Sequence, residues 1–187
     1  MKNTLKTIAG ASAFMLAALP LTAHADNWYL GASGDLTWPD HADTGGGGNI
    51  DLGYRFGAGT MGDFRLEAEA GYHEAPGDSG YGDTRYFTYM GNAYYDFNMN
   101  LMSGGTMAIT PYIGGGIGDA QVNYGDSSFS QTFHHHNNTF AYQGMAGLNI
   151  TDASMPNTNW YIGYRYTGTD DNNLDASNLE VGLRYNF

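Results

Sequence analysis

The feature that most constrains this chain is a two-residue alternation whose sides are reversed relative to a soluble protein. In the last nine residues, LEVGLRYNF, Leu179, Val181, Leu183, Tyr185 and Phe187 share one face, and Glu180, Gly182, Arg184 and Asn186 share the other. The apolar side is unbroken and ends on an aromatic, whereas the other side carries an acid and an Arg that a soluble core would have to desolvate. A sheet with lipid outside and polar groups inside accounts for both faces together.

The same inversion recurs along the chain. Trp28–Trp38 places Trp28, Leu30, Ala32, Leu36 and Trp38 opposite Tyr29, Gly31, Ser33, Asp35 and Thr37. Ten steps at about 3.3 Å, tilted by roughly 40°, span about 25 Å, the height of a transmembrane barrel's apolar band with aromatics in both headgroup layers. Asn49–Phe56, Phe64–Tyr72, Tyr86–Phe97, Met107–Gly118, Thr139–Ile150 and Trp160–Thr167 read in the same way, which with Leu179–Phe187 makes eight strands. Pro111 requires a place near a strand end or at a bulge. Gly114-Gly115-Gly116 is not followed by the Lys and helix of a nucleotide loop.

The predicted fold is therefore all-β, an eight-stranded antiparallel up-and-down transmembrane β-barrel, whose even strand count lets the two ends meet without an exposed edge. Longer connections are predicted at 39–48, 73–85, 119–138 and 168–177, all at one end. Tighter ones fall at 57–63, 98–106 and 151–159, at the other.

Residues 1–25 have the form of a secretory signal peptide: Lys2 and Lys6, a mostly apolar stretch from Ile8 to Leu21, and Ala23-His24-Ala25 before Asp26. Residues 26–187 are then one barrel domain. With Lys2 and Lys6 removed, five Arg stand against 19 acids, a formal net charge of −14 that argues against a nucleic-acid partner. Cysteine is absent, so packing and backbone pairing have to hold the fold.

The polar face gathers Asp35, Asp51, Glu67, Glu69, Asp96 and Glu180 with Arg55, Arg65, Arg165 and Arg184. An eight-stranded barrel has room for side chains but hardly for a water column, so these charges are expected to pair across the lumen and plug it. Glu67 and Glu69 could be read as an acid–base pair, but their spacing on one strand beside Arg neighbours favours the network. No catalytic residue and no cofactor is expected. His41, His73 and His134-His135-His136 all fall in predicted external loops, with Asp43, Glu74 and Asp126 near in sequence. His134, His135 and His136 are the candidate metal ligands, since imidazole and carboxylate suit zinc, copper or nickel; the competing reading is a hydrophilic loop with a chance His run.

NWYLGASG, PYIGGGIG, AYQGMAGLN, NWYIGYRYTGT and the terminal LEVGLRYNF together resemble the outer-membrane β-barrel domain family that includes OmpA-type barrels, opacity-like surface antigens and small porin-like proteins. The resemblance covers residues 26–187. It implies a Gram-negative outer-membrane location, contact with outer-membrane lipid and lipopolysaccharide, and recognition of Leu183, Tyr185 and Phe187 as an assembly signal by the barrel assembly machinery. It also implies a structural or surface-interaction role, with a possible host or surface ligand at the external loops, in a monomer. The alternatives are a small-solute porin or channel and a lipid A-modifying enzyme. Against the enzyme, an amphipathic helix has no counterpart between Asp26 and Trp28, and the His run continues as HHHNN instead of a His-x-Ser arrangement.

Overall fold

Each of the eight alternating segments is a strand in the computed structural model of the protein, which describes residues 27–40, 43–57, 60–76, 84–102, 105–124, 138–170 and 175–187. The strands are β1 Trp28–Pro39, β2 Gly45–Gly57, β3 Gly62–Ala75, β4 Thr84–Phe97, β5 Met107–Tyr124, β6 Asn138–Asp152, β7 Thr158–Thr169 and β8 Asp175–Asn186. They pair antiparallel in chain order, and β8 pairs back onto β1 to close the barrel. The terminal strand seals against the first over Tyr29–Pro39, and Phe187 N donates to Trp28 O at 3.2 Å just beyond it. The signal-peptide expectation for residues 1–25 lies outside the described residues.

The stagger of the pairing sets the width of the lumen. Passing from Tyr29 through Gly53, Glu67, Asn92, Gly116, Gln143, Thr167 and Ala176 leads back to β1 at Pro39, ten residues further along. With eight strands, a stagger of that size tilts them by about 40° and leaves an interior that side chains can fill. The start of β1, the end of β8 and the connections at 58–61, 98–106 and 153–157 lie at one end of the barrel, here the terminal end, and those at 40–44, 76–83, 125–137 and 170–174 at the other, the loop end.

The faces alternate as the sequence predicts. Leu66, Ile113, Ile117, Leu179 and Val181 are exposed on the outer wall, while their neighbours Arg65, Glu67, Tyr112, Glu180 and Arg184 are buried within. Arg65 is fully buried and Val181 is 54% exposed, which inverts the usual distribution of charge and apolar surface. Outward aromatics gather toward the two rims. Trp28, Tyr54 and Phe56 form edge contacts at the terminal end, with centroids 5.2 and 4.5 Å apart, and Tyr72 packs on Phe87 at 4.7 Å toward the loop end.

Several predicted boundaries are corrected. Gly45–Gly48, read as loop, belongs to β2, and Gly47 there faces His73, where a Cβ would lie 2.2 Å from Nδ1. The predicted loop over 73–85 gives His73, Glu74 and Ala75 to β3 and Thr84 and Arg85 to β4, and Asp119–Tyr124 extends β5. Gly168 and Thr169 extend β7, and Asp175, Ala176 and Ser177 begin β8. The strands outrun the apolar alternation because backbone pairing continues above the lipid, where the outward residues no longer need to be apolar. Pro111 sits near the terminal end of β5, opposite Leu148, without breaking the register. In the 98–106 turn, Gly105 adopts φ 99°, which side-chain-bearing residues rarely tolerate.

A charge placed on the outer wall tests the assignment of faces. Val181→Lys is expected to destabilise the folded barrel by about 2–4 kcal/mol in reversible denaturant unfolding from lipid vesicles. The neighbouring polar position already carries Glu180 at no such cost, because that side chain points into the lumen.

Candidate functional site

The lumen is where the chemistry-bearing side chains converge, and it is layered. Nearest the terminal end, Arg65 on β3 grips Asp96 on β4 through two bonds, Nε to Oδ2 at 2.6 Å and Nη2 to Oδ1 at 3.1 Å. Its Nη1 donates to Glu67 Oε1 and, at 3.2 Å, to the Tyr29 hydroxyl, which itself donates to Glu67 Oε1 at 2.6 Å. Arg184 on β8 places Nε 3.3 Å from Glu67 Oε1, an electrostatic contact without hydrogen-bond alignment, and donates from Nη1 to Asn149 Oδ1 at 3.0 Å. The faces of both guanidiniums are covered by rings, Arg184 by Tyr161 at 3.8 Å and Arg65 by Tyr94 at 4.4 Å.

The next layer centres on Arg165 of β7. It donates to Glu180 Oε2 from Nε at 3.2 Å and Nη2 at 2.9 Å, and from Nη1 to Glu69 Oε1 and to Gln143 Oε1 at 3.1 Å. Gln143 Nε2 donates to Asn92 Oδ1 at 2.6 Å, and Asn92 Nδ2 to Glu69 Oε2 at 3.1 Å, so the remaining oxygens are occupied. Above it, toward the loop end, His73 Nδ1 lies 3.1 Å from Asp35 Oδ1, with the imidazole stacked on Tyr86 at 4.6 Å.

This arrangement brings together seven of the nine residues expected to form a charge network. Arg65, Glu67, Asp96 and Arg184 form one group, and Glu69, Arg165 and Glu180 the other. Asp51 is buried between the layers, with Oδ1 lacking a hydrogen-bond partner. Arg55 departs from the expectation: it faces the lumen at the terminal mouth, half-buried, and its Nε has no partner. It lies opposite Arg65 in the β2–β3 register, so the nearest cross-strand group repels it.

His73 is a second correction. Read as an external-loop residue, it is instead a buried lumen residue on β3, because Gly71, His73 and Ala75 hold the inward parity to the end of the strand. His41 and the candidate metal ligands His134, His135 and His136 lie outside the described residues. Among the described residues no three His, Cys, Asp or Glu side chains group as a metal site. Parity also supplies interior residues that the apolar pattern hid: Tyr86, Met90 and Tyr94 on β4 all point inward and are buried.

Glu67 and Glu69 do not stand free as an acid–base pair, since each is tied to a different Arg with its carboxylate enclosed. Such pairs gain little net stability after desolvation, yet removing one partner strands a charge in a low-dielectric interior. Arg165→Met, which leaves Glu69 and Glu180 without their cation, is expected to cost about 3–5 kcal/mol in denaturant unfolding. Restoring neutrality with Glu69→Gln and Glu180→Gln on the same chain should recover part of that loss.

Comparison with known proteins agrees with this architecture. The chain is 31% identical over 163 residues to outer membrane protein PagN of Salmonella typhimurium, a match covering 78% of this chain and 60% of that protein's length. The crystal structure of Neisserial surface protein A superposes with a TM-score of 0.64 at 18% identity, covering 86% of this chain and 97% of that one. That of the outer membrane enzyme PagL superposes with a TM-score of 0.49 at 14% identity, covering 84% and 99%. The family description that matches residues 7–187 is the outer membrane protein beta-barrel domain. The chain therefore belongs to the outer membrane protein beta-barrel domain family and is an integral barrel of the Gram-negative outer membrane.

Proposed function

We propose that this protein acts through its wall and its external loops, in envelope structure or surface interaction, and does not act as a conduit. The observation that carries this reading is the filled lumen, with Arg65, Arg165, Arg184 and their carboxylate partners crossing it in two layers and Tyr94, Tyr112 and Tyr161 packed between them. A solute path would have to break several buried ion pairs at once. The start of β1 and the end of β8 fit the periplasmic side, and the longest connection between strands, 125–137, fits the outside. The outer wall meets lipid, and at its outer rim Glu74, held by Arg85 at 3.0 Å and Tyr72 at 3.1 Å, stands at the height of lipopolysaccharide headgroups.

A lipid A hydrolase would need a nucleophile and base on the lipid-facing wall. There the Ser177 hydroxyl pairs with Tyr164 at 2.8 Å and Asp175 accepts from Tyr166 at 2.7 Å, with no imidazole bonded to either among the described residues, while His73 lies inside the barrel. The non-enzymatic reading is thus the better supported. Purified protein in planar bilayers is expected to pass no large, steady ion current, and deletion of the gene to change detergent sensitivity or surface adherence while leaving small-solute uptake intact. A steady current together with lost uptake would replace this reading with the porin.

Leu183, Tyr185 and Phe187 serve on the same reading as the segment that the assembly machinery recognises. The support is the place of Leu183 and Tyr185 on β8 and of Phe187 just beyond it, at the seam with β1 that closes the barrel. Deleting Phe187 is expected to slow outer-membrane insertion at native expression several-fold while hardly changing the unfolding midpoint of barrels already assembled. Unimpaired insertion would remove the signal role.

A further inference from the structure

The charge network leaves one cation over. Among the five Arg residues of the chain, Arg65, Arg165 and Arg184 are engaged in the lumen and Arg85 with Glu74 on the outer rim, whereas Arg55 makes no ion pair within 4.0 Å among the described residues. It lines a cavity of about 260 Å³ at the terminal end of the lumen, together with Asp63, Asp96, Thr110, Asn149, Thr151 and Asn159. Two atoms of that lining are buried without partners, and they are chemically opposite: Arg55 Nε, a charged donor, and Asn159 Oδ1, an acceptor on a side chain 4% exposed. Unsatisfied groups of this kind are costly in a closed interior unless something else completes them.

The two acids of the cavity differ. Asp96 accepts from Arg65 Nε and Nη2 and from Asn149 Nδ2 at 3.0 Å, so its charge is already met. Asp63 makes no ion pair among the described residues, and lies beside the mouth near Gly57. A simple anion would satisfy Arg55 but face Asp63, and a simple cation would satisfy Asp63 but face Arg55. A ligand that carries both charges close together meets both, with Asn159 Oδ1 and the hydroxyls of Thr110 and Thr151 left for its remaining polar atoms. The volume lies just below the range of drug-sized pockets, about 300–1,000 Å³, and suits a few heavy atoms.

We propose that the terminal mouth of the lumen is a binding site for a small zwitterion, its carboxylate or phosphate on Arg55 and its ammonium on Asp63 and Asn159. The same chemistry occurs in a free amino acid and in a phosphoethanolamine headgroup, and the two are separable by experiment. Site-specific amide shifts of Thr151 and Asn159 would be followed by NMR in the full-length protein, extracted from membranes in detergent micelles, during titration with alanine, phosphoethanolamine and acetate.

Saturable shifts with alanine or phosphoethanolamine, and weaker or no shifts with acetate, are expected; whichever zwitterion binds more tightly identifies the source. Arg55→Gln should weaken that binding about tenfold or more, the loss of a charge-assisted bidentate contact, while Arg55→Lys retains part of it. Asp63→Asn should erase the preference for zwitterion over acetate. If Arg55→Gln fails to assemble, Asn159→Leu provides the second variant and should also weaken binding. Equal binding by the wild type and these variants, equal shifts with acetate, or no saturable shift with any of the three would overturn the proposal.

Discussion

Every backbone N–H and C=O within the hydrocarbon layer has to find its partner inside the protein, and the rest of this structure depends on that constraint. A sheet meets it only by having no edge, which is why β8 returns to β1 and why the register around all eight strands has to agree at the seam. Closure also assigns the side chains. Once the backbone is a closed cylinder, one parity of each strand faces lipid and the other faces the remaining strands. Leu179 and Val181 can be exposed only because Glu180 between them is enclosed.

The enclosed parity creates a second constraint, because charges taken out of water have to meet one another. Arg is suited to this, since its planar fork serves two carboxylates at once, as Arg65 serves Glu67 and Asp96 and Arg165 serves Glu69 and Glu180. Arg165–Glu69 and Arg184–Glu67 join β7 and β8 to β3, strands that do not pair, and so tie walls together across the lumen, while Arg65–Glu67 lies within β3 and Arg65–Asp96 and Arg165–Glu180 bridge adjacent strands. The uneven distribution of these pairs is informative. In the middle of the lumen the Arg residues meet carboxylates, although Asp51 Oδ1 and Arg184 Nε lack hydrogen-bond partners, and at the terminal mouth, where Arg55 makes no ion pair among the described residues, the interior approaches solvent.

The architecture was legible in the sequence because the strand period is two and its apolar side has to be nearly continuous in lipid. Trp28 and Trp38 marked the height of the wall, and the terminal LEVGLRYNF marked its two faces. Strand ends were less legible. Gly45–Gly48 and His73–Ala75 lie above the lipid, where the outward residues carry no apolar requirement, so composition resembled loop while backbone pairing continued. His73 was misplaced for that reason. Strict continuation of its parity from Glu69 and Gly71 would have put it inside.

What the sequence by itself determined is which residues face inward, since parity along a strand needs no knowledge of any other strand. Which inward residues meet was decided by the tertiary structure, because it depends on the stagger between strands, a property of the closed sheet. Arg55 and Arg65 are the same residue type at the same parity, each between two outward apolar or aromatic side chains, yet Arg65 holds two carboxylates and Arg55 holds none among the described residues. Glu67 stands two residues along the same strand from Arg65, but Asp96 reaches Arg65 only through the pairing of β3 with β4, while Arg55 is placed across from Arg65 itself, at the open end of the lumen.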